Sequence, residues 1–229
     1  MTTDFRVRLE ELAENPTPRL PVCLVLDTSG SMMNGQAITE LNVAVNEFYD
    51  AIRQDDMARY AAEIAVVTFG AAVETCVDFS SIDRQTVPTF VASGATPMGE
   101  AVNRALDMLA AAKEAYSKTG VDYYQPWLVL MTDGAPTDDI SSAVARCRDL
   151  ANKGKLTLYP VAIGREANLN SLLQFSGDIE PLRIESARFR DFFKWLAKST
   201  RKVSASNPGD SGTNRQMIKS FRELMTHDF

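Results

Sequence analysis

Residues 22–31 read Val22-Cys23-Leu24-Val25-Leu26-Asp27-Thr28-Ser29-Gly30-Ser31, an apolar run that ends on one carboxylate and two serine hydroxyls within five residues. Apolar side chains without polar alternation mark a strand covered on both faces, as at the centre of a parallel sheet. The oxygens gathered at its end suit a hard divalent cation. Mg²⁺ takes near-octahedral oxygen ligands at roughly 2.0–2.1 Å and keeps several waters, so a few short side chains on a tight turn suffice. Gly30 lets that turn fold back.

Outward from this strand, at about 21–27, the pattern alternates between strand-like and helix-like segments as far as residue 200. Ile38, Leu41, Val45, Phe48, Tyr49 and Ile52 recur at helical spacing. Glu63–Phe69 and Val73–Val77 follow, separated by Gly70-Ala71-Ala72. That gap is too short for a crossover helix, so the two strands are expected to pair antiparallel. A loop over 80–95 leads to a helix predicted over 97–117, with Val102, Ala105, Leu106 and Leu109 inward and Pro97 at its first position.

Trp127–Thr132 is a second core strand and ends on Asp133-Gly134. A helix at 139–152, a strand at 155–162, a helix at 168–175, a strand at 180–184 and a helix at 188–201 complete the pattern. It predicts an α/β, Rossmann-like doubly wound fold, with a mostly parallel central sheet, one antiparallel edge strand and helices on both faces.

At 229 residues, 45% hydrophobic and 24% charged, the chain can bury one full-sized core with appendages. We expect an N-terminal extension over 1–18, one domain over 19–202, a flexible linker over 203–214 and a short amphipathic helix over 215–229. That helix either docks on its own domain or binds a partner. The net charge of −6 argues against a sequence-independent nucleic-acid binder. Cys23, Cys76 and Cys147 are odd in number and widely spaced, which fits buried free thiols in a reducing compartment rather than a disulfide framework. The N-terminal residues lack the pattern of a secretory signal and no apolar stretch is long enough to span a membrane, so a cytoplasmic location is expected.

Ligands of open parallel sheets bind beyond the carboxyl ends of strands where the strand order reverses. Asp27 and Asp133 meet there if their strands share an edge. A third piece is the small-residue loop Ser93-Gly94-Ala95-Thr96-Pro97-Met98-Gly99. Each piece alone has an ordinary explanation as a turn or a helix cap. Together, Asp27-x-Ser29-x-Ser31, Thr96-Pro97 and Thr132-Asp133-Gly134 resemble the von Willebrand factor A domain and its metal-ion-dependent adhesion site, over about residues 19–200.

That resemblance implies a site formed by Asp27, Ser29, Ser31, Thr96 and Asp133. Ser29 and Ser31 would bind the metal directly, Thr96 directly or through water, and Asp27 and Asp133 mainly through metal-bound waters. The metal would be Mg²⁺, with Mn²⁺ or Ca²⁺ as substitutes, and an Asp or Glu of a partner protein would complete its coordination. Within the family the chain is similar to bacterial intracellular TerY-like proteins found with tellurite-resistance genes. The likeness is carried by Leu20-Pro21-Val22, Gly94–Ala101 and Phe192-Phe193-Lys194-Trp195-Leu196. It implies a protein kinase and a PP2C-type, metal-dependent phosphatase as partners in a stress-response or defence system. The cysteines of the zinc module that some such proteins carry are absent from this sequence.

The sequence thus favours a non-enzymatic interaction module, with no nucleic-acid or membrane partner. Two alternatives stand beside it. A phosphotransferase could use Asp27 as nucleophile, although Ser29 replaces the usual second acid. Otherwise the metal is structural and the C-terminal helix makes the partner contact. His227 is the sole histidine, so neither a histidine-based triad nor a histidine-rich zinc site can form. Met32 and Met33 could face a partner or pack beneath the turn.

Overall fold

The structure is a computed structural model that describes residues 3–165, 167–176, 180–208, 216 and 219–220, with side chains from Arg8 onward. Its elements in chain order are α1 (Thr3–Glu14), β1 (Leu20–Asp27), α2 (Ala37–Arg53), α3 (Asp56–Ala61), β2 (Ala62–Phe69), β3 (Val73–Val77), α4 (Met98–Thr119), β4 (Trp127–Thr132), α5 (Ser141–Asn152), β5 (Thr157–Ile163), α6 (Leu169–Ser176), β6 (Leu182–Ile184) and α7 (Phe189–Ser204). A 3-10 turn over Gly30–Gln36 joins β1 to α2.

The strands form one six-stranded sheet in the order β3-β2-β1-β4-β5-β6. Every pairing is parallel except β2 with β3, which is antiparallel, so the expected doubly wound sheet with one antiparallel edge is what forms. β1 is buried at all eight positions because it lies between β2 and β4 with helices over both faces. Its alternate residues feed two cores. Leu20, Val22, Leu24 and Leu26 pack with α2 and α7, whereas Cys23 and Val25 pack with α4, α5 and α6.

The N-terminal extension is a docked helix. Leu12 of α1 is buried in the α4-side core, and Arg8 pairs with Glu63 at 2.6 Å. Glu63, only 4% exposed, also faces the Arg19 guanidinium at 3.4 Å and accepts the Tyr116 hydroxyl at 2.6 Å. This charged cluster lies near the start of β2, where Glu63 pairs with Pro21, and the oxygen-rich turn lies at the opposite end, where Phe69 pairs with Asp27.

Three expectations shift. Cys76 is exposed, unlike the buried Cys23 and Cys147, because only Val73 of the edge strand β3 is fully covered. The helix expected from Pro97 opens at Met98, with Pro97 in the cap position. The helix expected to end at 201 runs to Ser204, where the Tyr124 hydroxyl contacts the carbonyls of Ser204 and Ser206 at 3.1 and 2.8 Å. The remainder of the expected linker, 209–214, and the helix over 215–229 lie outside the described residues except at Gln216, Lys219 and Ser220. No helix among the described residues is long and apolar enough to cross a membrane.

Candidate metal centre

In the strand order β3-β2-β1-β4-β5-β6 the direction of winding reverses between β1 and β4. The carboxyl ends of these two strands carry Asp27 and Thr132-Asp133. An open α/β sheet places its binding crevice at such a reversal.

Asp27 is 0% exposed. Its Oδ1 accepts the Ser29 N–H at 2.8 Å, which fixes the turn, and its Oδ2 accepts the Thr132 hydroxyl at 2.5 Å, which ties β1 to β4. The Ser31 hydroxyl donates to Asp133 Oδ1 at 2.7 Å and stands 3.0 Å from the Ser29 hydroxyl. With the Ser31 proton directed at Asp133, Ser29 is the donor of that second contact. A continuous hydrogen-bonded set therefore links Asp27, Thr132, Ser29, Ser31 and Asp133.

Thr96 arrives on the loop before α4. The Ser93 N–H donates to the Thr28 carbonyl at 2.8 Å, and the Gly30 N–H donates to the Gly94 carbonyl at 3.1 Å. Two glycines permit this close packing. A Cβ on Gly70 would stand 2.6 Å from the carbonyl oxygens of both Ser93 and Thr28, and one on Gly94, where φ is +77°, would stand 2.3 Å from the Ala71 Cα. The Thr96 hydroxyl makes no hydrogen bond among the described residues, and it lies 3.7 Å from where a Cβ on Gly134 would be. All five sequence-predicted site residues are thus gathered at one end of the sheet.

Two carboxyls share the cluster, and burial acts on both. Burial pushes Asp27 up to about 6 from its ordinary 3.8; the hydrogen bonds from Ser29 and Thr132 oppose the rise and Asp133 adds to it. Burial also raises Asp133, against the hydrogen bond from Ser31. The main influences on the two carboxyls are burial, these hydrogen bonds and, for Asp27, the charge of Asp133. Among the described residues no three His, Cys, Asp or Glu side chains converge, so the cluster rests on two carboxylates and hydroxyls. An all-oxygen donor set of two carboxyls and several hydroxyls, with the Thr96 hydroxyl unbonded among the described residues, fits a hard divalent ion.

Three contributors escaped the sequence reading. Thr132, which the sequence marks as the end of a core strand and the start of the Thr-Asp-Gly motif, also binds Asp27. Thr137 and Asp138 hold the Thr96 loop: the Thr96 N–H donates to Thr137 Oγ1 at 3.1 Å, the Thr137 N–H donates to the Thr96 carbonyl at 2.9 Å, and Asp138 accepts the N–H groups of Gly99 and Glu100 at 3.0 and 2.8 Å. Their signal was a Pro-Thr-Asp run just ahead of a helix. The two methionines divide, with Met32 0% exposed in the core and Met33 64% exposed beside the turn. Hollows of about 740 and 230 Å³ lie away from these strand ends, the larger beside β3 and α1 and the smaller between α4 and α5.

These features define an α/β module with an acidic and hydroxylic cluster at the reversal of its sheet. The sequence profile of the von Willebrand factor type A domain matches residues 22–198, and the chain belongs to that family. Members of the family are mostly interaction modules rather than enzymes. The mouse (Mus musculus) calcium-activated chloride channel regulator 1 is 26% identical over 196 residues, which cover 77% of this chain and 19% of that protein. The manganese-loaded TRAP protein of Plasmodium vivax superposes with a TM-score of 0.54 at 18% identity, covering 77% of this chain and 74% of that one. Proximal thread matrix protein 1 from the mussel byssus, solved with a zinc-occupied MIDAS motif, gives a TM-score of 0.52 at 15% identity over 80% of this chain and 48% of its own. The two structural likenesses show a shared fold. The chain spans about a fifth of the mouse relative and about half of the mussel protein.

Proposed function

We propose that the chain is a metal-dependent protein–protein interaction module. Asp27, Ser29, Ser31, Thr96 and Asp133 would hold Mg²⁺, or Mn²⁺ or Ca²⁺ in its place, and an Asp or Glu of a partner protein would complete the site. The observation that carries this reading is the convergence of two carboxyls, two hydrogen-bonded serines and a Thr96 hydroxyl unbonded among the described residues at the reversal of the sheet. The manganese and zinc in two proteins of the same fold support a divalent ion here. Such an ion supplies electrophilic attraction for a carboxylate, and its strength is kept by the low charge of the protein's own donors.

Asp27 is ill-placed as a phosphoryl acceptor. It is fully buried and both of its oxygens accept hydrogen bonds, which favours binding over aspartyl-phosphate chemistry. We further propose that the chain serves a bacterial stress-response or defence system in the cytoplasm, as a TerY-like protein with a kinase and a PP2C-type phosphatase as partners. The motifs around Asp27, Thr96 and Trp195 support that assignment.

The test is affinity capture of the candidate kinase and phosphatase by the wild type and by Asp27→Ala, each with and without EDTA. Capture by the wild type alone, and only without EDTA, is expected. Capture that survives both EDTA and Asp27→Ala would refute the reading and direct attention to the C-terminal segment 215–229.

A further inference from the structure

Thr96 is held by a neighbouring loop more than by its own. Its N–H and carbonyl both bond to Thr137, at 3.1 and 2.9 Å, so one residue grips it through two antiparallel hydrogen bonds. Thr137 lies four positions beyond Asp133 on the same loop. The next residue, Asp138, accepts two of the N–H groups that the first turn of α4 leaves without helical partners. A Cβ on Gly99 would come within 2.5 Å of the Asp139 carbonyl oxygen, so backbone lies against backbone here as well. The Thr96 loop, the start of α4 and the loop after Asp133 consequently form one hydrogen-bonded body.

We propose that Thr137 and Asp138 are positioning residues for the metal centre, forming a clasp that fixes the Thr96 hydroxyl relative to Asp133. The inference rests on the metal-binding reading of the site and extends it to two residues that touch no metal. Mg²⁺ tolerates little departure from ligand distances of roughly 2.0–2.1 Å, so a hydroxyl on an unclasped loop must be ordered at the moment of binding. Groups that orient a ligand typically change metal affinity about 10–100-fold when removed. The bonds of Thr137 described here go to Thr96 alone and to no helix group, so removing its hydroxyl loosens Thr96 without uncapping α4. Asp138 does the complementary work by fixing α4 three and four residues beyond Thr96.

The measurement is Mn²⁺ affinity of the full chain by electron paramagnetic resonance, alongside unfolding in EDTA. Thr137→Val keeps the side-chain shape and removes the acceptor. It is expected to bind Mn²⁺ about tenfold more weakly than wild type, whereas Thr137→Ser binds within about twofold. Asp138→Asn, expected to weaken binding several-fold, is the second probe should Thr137→Val fail to fold. Affinity equal to wild type in the folded variants would overturn the clasp, as would a Thr137→Ser variant as weak as Thr137→Val. Absence of Mn²⁺ binding by the wild type would instead remove the metal reading, and the clasp with it. Ser29→Ala, which lacks a proposed ligand, sets the floor of the assay.

Discussion

Ser31 and Asp133, far apart in the chain, share a hydrogen bond of 2.7 Å between hydroxyl and carboxylate. The bond closes the gap between the ends of β1 and β4 and brings both oxygens into the cluster proposed to hold a cation. Addition of Mn²⁺ to the metal-free wild type is expected to stabilise it. A ligand at 100 times its dissociation constant contributes about 2.7 kcal/mol, or roughly 5–10 °C in melting temperature for a domain of this size. Ser29→Ala is expected to retain its far-UV circular dichroism and lose the increment. Equal increments in the two proteins would exclude Ser29 as a ligand.

Asp27 gives the metal-free protein a distinctive pH dependence. Its folded value of about 6 lies above the ordinary 3.8, so the folded state holds the proton more tightly than the unfolded chain. The associated stability is fully present below about pH 3.8 and is lost as pH rises through about 6. A tenfold change in proton affinity is about 1.4 kcal/mol, which puts the loss at up to about 3 kcal/mol. Urea unfolding in EDTA across this range is expected to show the decline in the wild type and a flatter profile in Asp27→Asn. Matching profiles would mean that Asp27 titrates normally.

The three thiols are expected to differ in reactivity. Burial pushes Cys147 up to about 12 and Cys23 higher still, and both are enclosed. Cys76 is exposed on β3 despite a raised value of its own. A disulfide-exchange reagent should therefore titrate one thiol in the native protein and three after denaturation, with the native signal absent in Cys76→Ser. Two fast thiols in the native state would contradict this placement.

Glu63 is expected to matter for stability and to be silent in metal binding. Removing one partner of a buried charge cluster costs about 3–5 kcal/mol, because the remaining charges are left uncompensated. Glu63→Gln leaves Arg8 and Arg19 in that position and lowers stability by about this amount. Its Mn²⁺ affinity should match wild type, since Glu63 and Asp27 sit at opposite ends of the β1–β2 pair. A weakened affinity would reveal coupling along β2.

What was legible in the sequence followed from burial. β1, β2 and β4 are covered on both faces, so their central residues, 22–26, 64–67 and 127–131, are written as unbroken apolar runs, and the residues at the ends of β1 and β4 mark the site. Elements stabilised by contacts distant in the chain left weaker traces. α1 is held by Leu9, Leu12 and the Arg8–Glu63 pair, contacts with elements far along the chain. α3 has six residues and depends on the Asp55 side chain, which accepts the N–H groups of Met57 and Ala58. Thr137 grips Thr96 across 41 positions, a pairing that neither periodicity nor local turn chemistry encodes. Cys76 has partly apolar neighbours in β3, a pattern that suggests burial, and the strand's place at the sheet edge exposes it.

Gly70 and Gly94 contribute no side-chain atom to the cluster, yet the Ser93–Thr96 loop seats only because Gly70 fits against the Thr28 and Ser93 carbonyls and Gly94 against the Ala71 backbone without a Cβ. A genetic screen for loss of partner recognition should therefore recover alleles at these two codons as readily as at Asp27 or Ser29. Alanine, ordinarily the mildest replacement, would be among the most damaging there.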